Sequence, residues 1–162
     1  MTGIDDHDVP WADPAIRTDY EAALGRFILA FNEVDYYLSQ IIAWELGERK
    51  SQHLRSSLTA GPFAARLDTL EALSTTSRLG GVATLPMSRL RSLNADRNRL
   101  AHGHFDQNPF DGSYNVVLAA KAHEYPIKRI STLANELATI AEKFRQVYLA
   151  HHFDDLDEVG TE

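Results

Sequence analysis

Apolar residues recur at Leu24, Phe27, Ile28, Phe31, Val34, Leu38, Ile41 and Ile42 in steps of three and four, the spacing of a helix with one buried stripe. Asp13-Pro14 stands in front of this row. An aspartate can cap the first free N–H groups, and the fixed φ of proline suits the first turn. The pattern predicts a first helix from Asp13-Pro14 to Leu46, stopped at Gly47. At about 32 residues it would span nearly 50 Å, a length suited to a bundle. Ser51–Leu58 reads as a short helical segment broken at Gly61-Pro62. A second long helix follows with Phe63, Leu67, Leu70 and Leu73 as its row, ending in a Thr/Ser-rich stretch and a Gly80-Gly81 loop. Thr84-Leu85-Pro86 opens a third, with Met87, Leu90, Leu93 and Leu100 in register and Gly103 closing it.

The helical period is lost from Phe105 to Ile127. Asp111-Gly112 is a turn signal, and Val116-Val117-Leu118 favours a strand, so a small β-hairpin is expected, with the Tyr125 segment as a candidate added strand. Beyond Pro126 the helical row resumes through Ile130, Leu133, Leu137, Ile140, Phe144, Val147 and His151. The expected fold is all-α: an antiparallel four- to five-helix bundle with a small β-hairpin between the third and fourth long helices. It forms one domain over 13–153. Residues 1–12 read as a flexible acidic lead-in, and 154–162 as an acidic disordered tail.

Composition bounds the function without choosing it. The 162 residues are 44% hydrophobic and 24% charged, ordinary for a globular domain. No apolar run reaches the ~18 residues of a membrane span, and the acidic start lacks the basic and apolar regions of a signal peptide. With no cysteine there is neither a disulfide framework nor a thiolate metal site, so a cytoplasmic location is expected. The net charge of −7 argues at first against a nucleic-acid partner. However, residues 1–21 and 153–162 carry −5 each, which leaves the middle of the chain at +3. Between Pro86 and His104, Arg89, Arg91, Arg97 and Arg99 face a single acid, Asp96. Such a strip suits a phosphate-bearing ligand, although a solvated helix face would look the same.

Two charges fall in apolar register. Arg97 lies between Leu93 and Leu100, and Asp35 follows Phe31 in the row leading to Leu38. A charge there is unfavourable unless paired or reaching water. Either Arg97 pairs with Asp35 across the bundle, or its stem covers apolar surface while its head reaches solvent. Asn94, Asn98 and His102, each four residues after the last, share a polar edge. Arg97 and His102 are five apart, about 140° around an ideal helix. These groups supply what metal-free phosphodiester transfer needs. An imidazole can deprotonate a 2′-hydroxyl near neutral pH, and a guanidinium can stabilise charge developing on phosphorus.

The run Arg97-Asn98-Arg99-Leu100-Ala101-His102-Gly103, late on the third long helix of a bundle, resembles the motif of the HEPN superfamily. That motif is an Arg and a polar residue followed four to six residues on by His, in the form RNxxAHG. The resemblance extends to the helical architecture over most of residues 14–152. It implies a metal-independent endoribonuclease acting on RNA as a homodimer, the two motif helices lining one cleft, in a toxin or phage-defence setting with an antitoxin protein as partner. It implies that Arg97 binds and stabilises the scissile phosphate and that His102 acts as general base or acid. Asn98 would orient the phosphate or His102, and Asp35 or Glu33 would be the accompanying acid of the first helix. Some toxin members carry a modifiable Tyr two residues after the His, where this chain has His104. The resemblance also allows a non-catalytic reading, a helical module for protein or nucleotide binding or dimerisation.

Other groupings point less far. His102 with His104, and His151-His152 near Asp154 and Asp155, lack a third ligand at a convincing spacing, so neither a metal site nor a cofactor is expected. His151-His152 fits a helix C-terminus, where imidazolium complements the dipole. Arg89, Arg91 and Arg99 could extend an RNA track. Tyr36, Tyr37 and Trp44 could form a dimer face or pack at the core boundary. There is no glycine-rich phosphate loop, Ser–His–Asp pattern or cysteine nucleophile.

Overall fold

A computed structural model describes residues 11–77 and 80–158, with side chains described as far as residue 150. In chain order it contains α1 (Pro14–Glu48), a 3-10 turn (Gln52–Leu54), α2 (Arg55–Thr59), α3 (Phe63–Ser74), a second 3-10 turn (Val82–Thr84), α4 (Met87–His102), β1 (His104–Gln107), β2 (Tyr114–Leu118), β3 (Lys121–Glu124) and α5 (Ile127–Glu158). The architecture is mostly helical, as the periodicities require. The Asp13 carboxylate accepts from the Ala15 N–H at 2.9 Å and caps α1. Gly47 does not end that helix, which runs on to Glu48. The positive φ of the turn falls on Lys50 instead (55°).

The bundle is not antiparallel throughout. Along α1 and α5, Ile16 and Tyr20 share a pocket with Pro126 and Ile127, and Tyr37 meets Tyr148 with ring centroids 5.7 Å apart, so the two helices run in the same direction. Phe31 packs on Phe63 (4.7 Å), Asp35 on Arg66, and Glu45 accepts from the Ser77 hydroxyl, so α3 also runs with α1. Of the long helices among the described residues, α4 alone is reversed. Arg91 reaches back to Asp68 and Glu71 of α3, while Arg89 and Asp96 meet Glu136 and Arg129 of α5. The cause is the segment from Arg49 to Pro62. It carries the chain back along α1 for about 25 Å, the rise between Phe31 and Glu48, before α3 starts upward again.

The expected hairpin is a three-stranded antiparallel sheet of order β1-β2-β3. His104 pairs with Val117, and Leu118 with Lys121. The added strand is Lys121–Glu124. Tyr125 lies just beyond it and is wholly buried. The two-residue loop between β2 and β3 is Ala119-Ala120, with φ of 50° and 60°, the left-handed pair of a type I′ turn. The sheet docks where α4 ends. A Cβ on Gly103 would lie 2.3 Å from Val116 Cγ1 and 2.6 Å from the Arg99 carbonyl oxygen, so only glycine lets strand and helix approach this closely.

The core joins Phe27, Leu38 and Ile42 of α1, Leu67 and Leu70 of α3, Leu90 and Leu93 of α4, and Leu137 and Phe144 of α5, all essentially solvent-free. Of the lead-in, Trp11 stacks on Phe110, and the Ala12 N–H donates to the Pro109 carbonyl at 2.9 Å; residues 1–10 lie outside the described residues. Of the tail, 154–158 continue α5, and 159–162 lie outside the described residues. Among the described residues no helix is long and apolar enough to cross a membrane.

Candidate functional site

Two adjacent residues near the end of α4 carry opposite charges and meet opposite surroundings. Asp96 is the buried charge of this helix, 8% exposed. It accepts from the Tyr125 hydroxyl at 2.6 Å, from Arg129 at 3.1 Å and from Arg99 at 3.4 Å. The Arg129 guanidinium also lies over the Tyr125 ring, 4.1 Å from its centroid, and donates to the Glu124 carbonyl. Burial, and then the hydrogen bond to Asp96, push the Tyr125 phenol above its ordinary pKa. This cluster ties α4 to the start of α5.

Arg97, about 100° further around the helix, is half-buried and meets no carboxylate among the described residues. Its guanidinium carbon stands 5.6 Å from the centroid of the Phe31 ring, and Nη1 donates to Asn98 Oδ1 at 3.2 Å. The Arg97–Asp35 pair does not form. Asp35 faces α3, where Arg66 holds it at 2.5 Å and also donates to Ser39. Arg97 approaches α1 one turn earlier, at Phe31. The second reading of position 97 therefore describes it: an apolar contact below and a cationic head toward solvent.

The other arginines of α4 are engaged within the chain. Arg89 binds Glu136 through Nε and Nη2, both at 2.7 Å, and this pairing lowers the Glu136 carboxyl below its ordinary pKa. Arg91 bridges Asp68 at 2.7 Å and Glu71 at 2.6 Å. Arg99 turns to Asp96. The exposed Arg89 and Arg91 pairs each add little stability, but with Arg99–Asp96 they commit three of the four arginines of α4 to internal carboxylates.

Asn98 and His102 are exposed, His102 in the last turn of α4 and His104 at the start of β1, while Asn94 is half-buried. Arg97 and Asn98 touch. No hydrogen bond or ring contact joins Arg97 to His102 among the described residues, in keeping with their five-residue spacing. Glu33 is exposed on α1, on the side of Arg145. Tyr36 is exposed, whereas Tyr37 and Trp44 pack against the core. Among the described residues no three His, Cys, Asp or Glu side chains gather around a possible cation.

Sequence reasoning missed Asp96 and its partners Tyr125 and Arg129. The signal was available, because Leu93 is followed in helical register by 96 as well as by 97. Comparisons with protein-family models, curated proteins and solved structures find no match.

Proposed function

We propose that the protein is a metal-independent endoribonuclease of HEPN type that acts on RNA as a homodimer, in a toxin or phage-defence setting with an antitoxin protein as partner. One observation carries this reading. Arg97, the arginine of the motif, is the only one of the four on α4 without a carboxylate among the described residues. A half-buried guanidinium held by a ring and a neutral amide keeps its charge for an external anion.

In the proposed reaction the His102 imidazole takes the proton of a ribose 2′-hydroxyl, whose oxygen attacks the adjacent phosphorus. Arg97 stabilises the charge on the non-bridging oxygens, with Asn98 fixing its orientation. The 5′-oxygen leaves with a proton returned from the imidazolium, and a 2′,3′-cyclic phosphate remains. Because Arg97 and His102 diverge by about 140° on one helix, a second copy supplies the other wall of the cleft. The alternative, a non-catalytic binding or dimerisation module, expects Arg97 locked in a buried ion pair, and it makes none among the described residues.

The test is cleavage of a labelled single-stranded RNA in EDTA. The wild type cuts, while Arg97→Ala and His102→Ala each lose activity and remain folded. Cleavage that survives in either variant, or that needs a divalent metal, contradicts the proposal.

A further inference from the structure

We infer that Phe31 is a positioning residue for Arg97: its ring is the platform that fixes the guanidinium so that its N–H edge faces a phosphate. This rests on the ribonuclease reading for its catalytic consequence, but the platform itself can be tested apart from it.

Four side chains from three helices form a continuous array. Arg97 of α4 lies over Phe31 of α1 at 5.6 Å. Phe31 packs on Phe63 of α3 with centroids 4.7 Å apart and planes inclined at 47°. On the far side Arg66 lies 5.9 Å from the Phe63 centroid. Both rings are buried, Phe31 at 3% and Phe63 at 8% exposure, so neither can swing away from its cation without opening the core.

The two cations at the ends of the array differ. Arg66 is fastened by the Asp35 carboxylate, the Ser39 hydroxyl and the Asp35 carbonyl, and its charge is met inside the fold. Among the described residues, Arg97 has only the ring and the Asn98 amide. An aromatic face attracts a guanidinium without using its in-plane donors. The ring therefore restrains the arginine while most of its N–H groups remain for a ligand. A carboxylate in the same place would hold the side chain and neutralise it. A long side chain left free would have to be ordered at the moment of binding. Arg97 avoids both.

Phe31→Leu keeps an apolar side chain and removes the ring, and Phe63→Leu makes the same change in the second ring, which does not touch Arg97. In single-turnover cleavage of a labelled single-stranded RNA by the full chain, Phe31→Leu is expected to lower the rate at saturation about 10- to 100-fold with little change in half-saturation, the signature of a misplaced catalytic group. Phe63→Leu should stay within about threefold of wild type. Equal losses from the two phenylalanine variants would overturn the inference.

The second readout needs no activity. The Arg97 Hε proton resonance should be shifted by the ring current in the wild type and return to an ordinary arginine position in Phe31→Leu, with Arg66 unmoved. A wild-type Arg97 signal already at the ordinary position overturns the platform. A wild type that shows the shift but cleaves no RNA overturns the ribonuclease reading and leaves the platform standing.

Discussion

The Asp96 cluster and the Arg97 platform occupy neighbouring positions on one helix, yet they solve the problem of a charge near the core in opposite ways. Asp96 is satisfied from within by a phenol and two guanidinium groups on α4 and α5. Among the described residues Arg97 is held but not neutralised, its contacts being a ring and an amide. A charge whose partners all belong to the fold contributes to the fold. In the proposed reading, a charge positioned without a counter-charge is kept for an external anion. The same contrast recurs between the two ends of the aromatic array, where Arg66 is closed off by Asp35 and Arg97 is open.

Substitution at the two positions should divide stability from activity. Asp96→Ala strands a buried phenol and removes the acceptor shared by two arginines, and should lower the unfolding free energy by about 3 kcal/mol, measured by denaturant titration. Arg97→Ala should change it by less than about 1 kcal/mol while abolishing RNA cleavage. A similar stability loss at both positions would erase the distinction.

Gly103→Ala follows in size. Its methyl group would meet Val116 and the Arg99 carbonyl well inside contact distance, and forcing the sheet away from α4 should lower stability by about 2–3 kcal/mol. The thermal midpoint checks this.

Two phenols sharpen the comparison further. Tyr125 donates to a carboxylate, so Tyr125→Phe should lower stability by about 2 kcal/mol. The buried Tyr20 hydroxyl has no hydrogen-bond partner among the described residues, and Tyr20→Phe should raise stability by about 0.5–1 kcal/mol. Burial, then the neighbouring Tyr114 and Tyr125, push the Tyr20 phenol up from 10.0 to about 12. The folded state keeps this proton after the unfolded chain has released it, so its contribution is complete below pH 10 and is lost as pH rises toward 12. Unfolding curves between these pH values should flatten in Tyr20→Phe. The smallest effect is expected at the β2–β3 turn, where Ala120→Gly relieves a left-handed alanine and should add up to about 1 kcal/mol.

Much of this architecture was legible in residue spacing. Asp13-Pro14 and Pro86 mark where α1 and α4 begin, and the apolar rows lie in the core almost residue for residue. Helix direction was not legible. An antiparallel bundle is the expectation for successive long helices, whereas residues 49–62 retrace α1 with short helical pieces of their own. The partner of Asp35 was not legible for a related reason: periodicity says that a residue faces inward, not which helix it meets. At Leu93 the steps of three and four lead to Asp96 and Arg97 alike, and only packing shows that the acid goes to the core. The end of α5 was missed because the acids after Phe153 look like a solvated tail, although the helix continues to Glu158.

The most direct test of the central claim is a comparison of RNA cleavage across the arginines of α4. Arg89→Ala and Arg91→Ala remove charges already committed to Glu136, Asp68 and Glu71, and should keep cleavage rates within a few-fold of wild type. Arg97→Ala should reduce the rate to background at unchanged stability. Equal losses across the three variants, or an Arg97→Ala protein that cleaves as fast as wild type, would contradict the account.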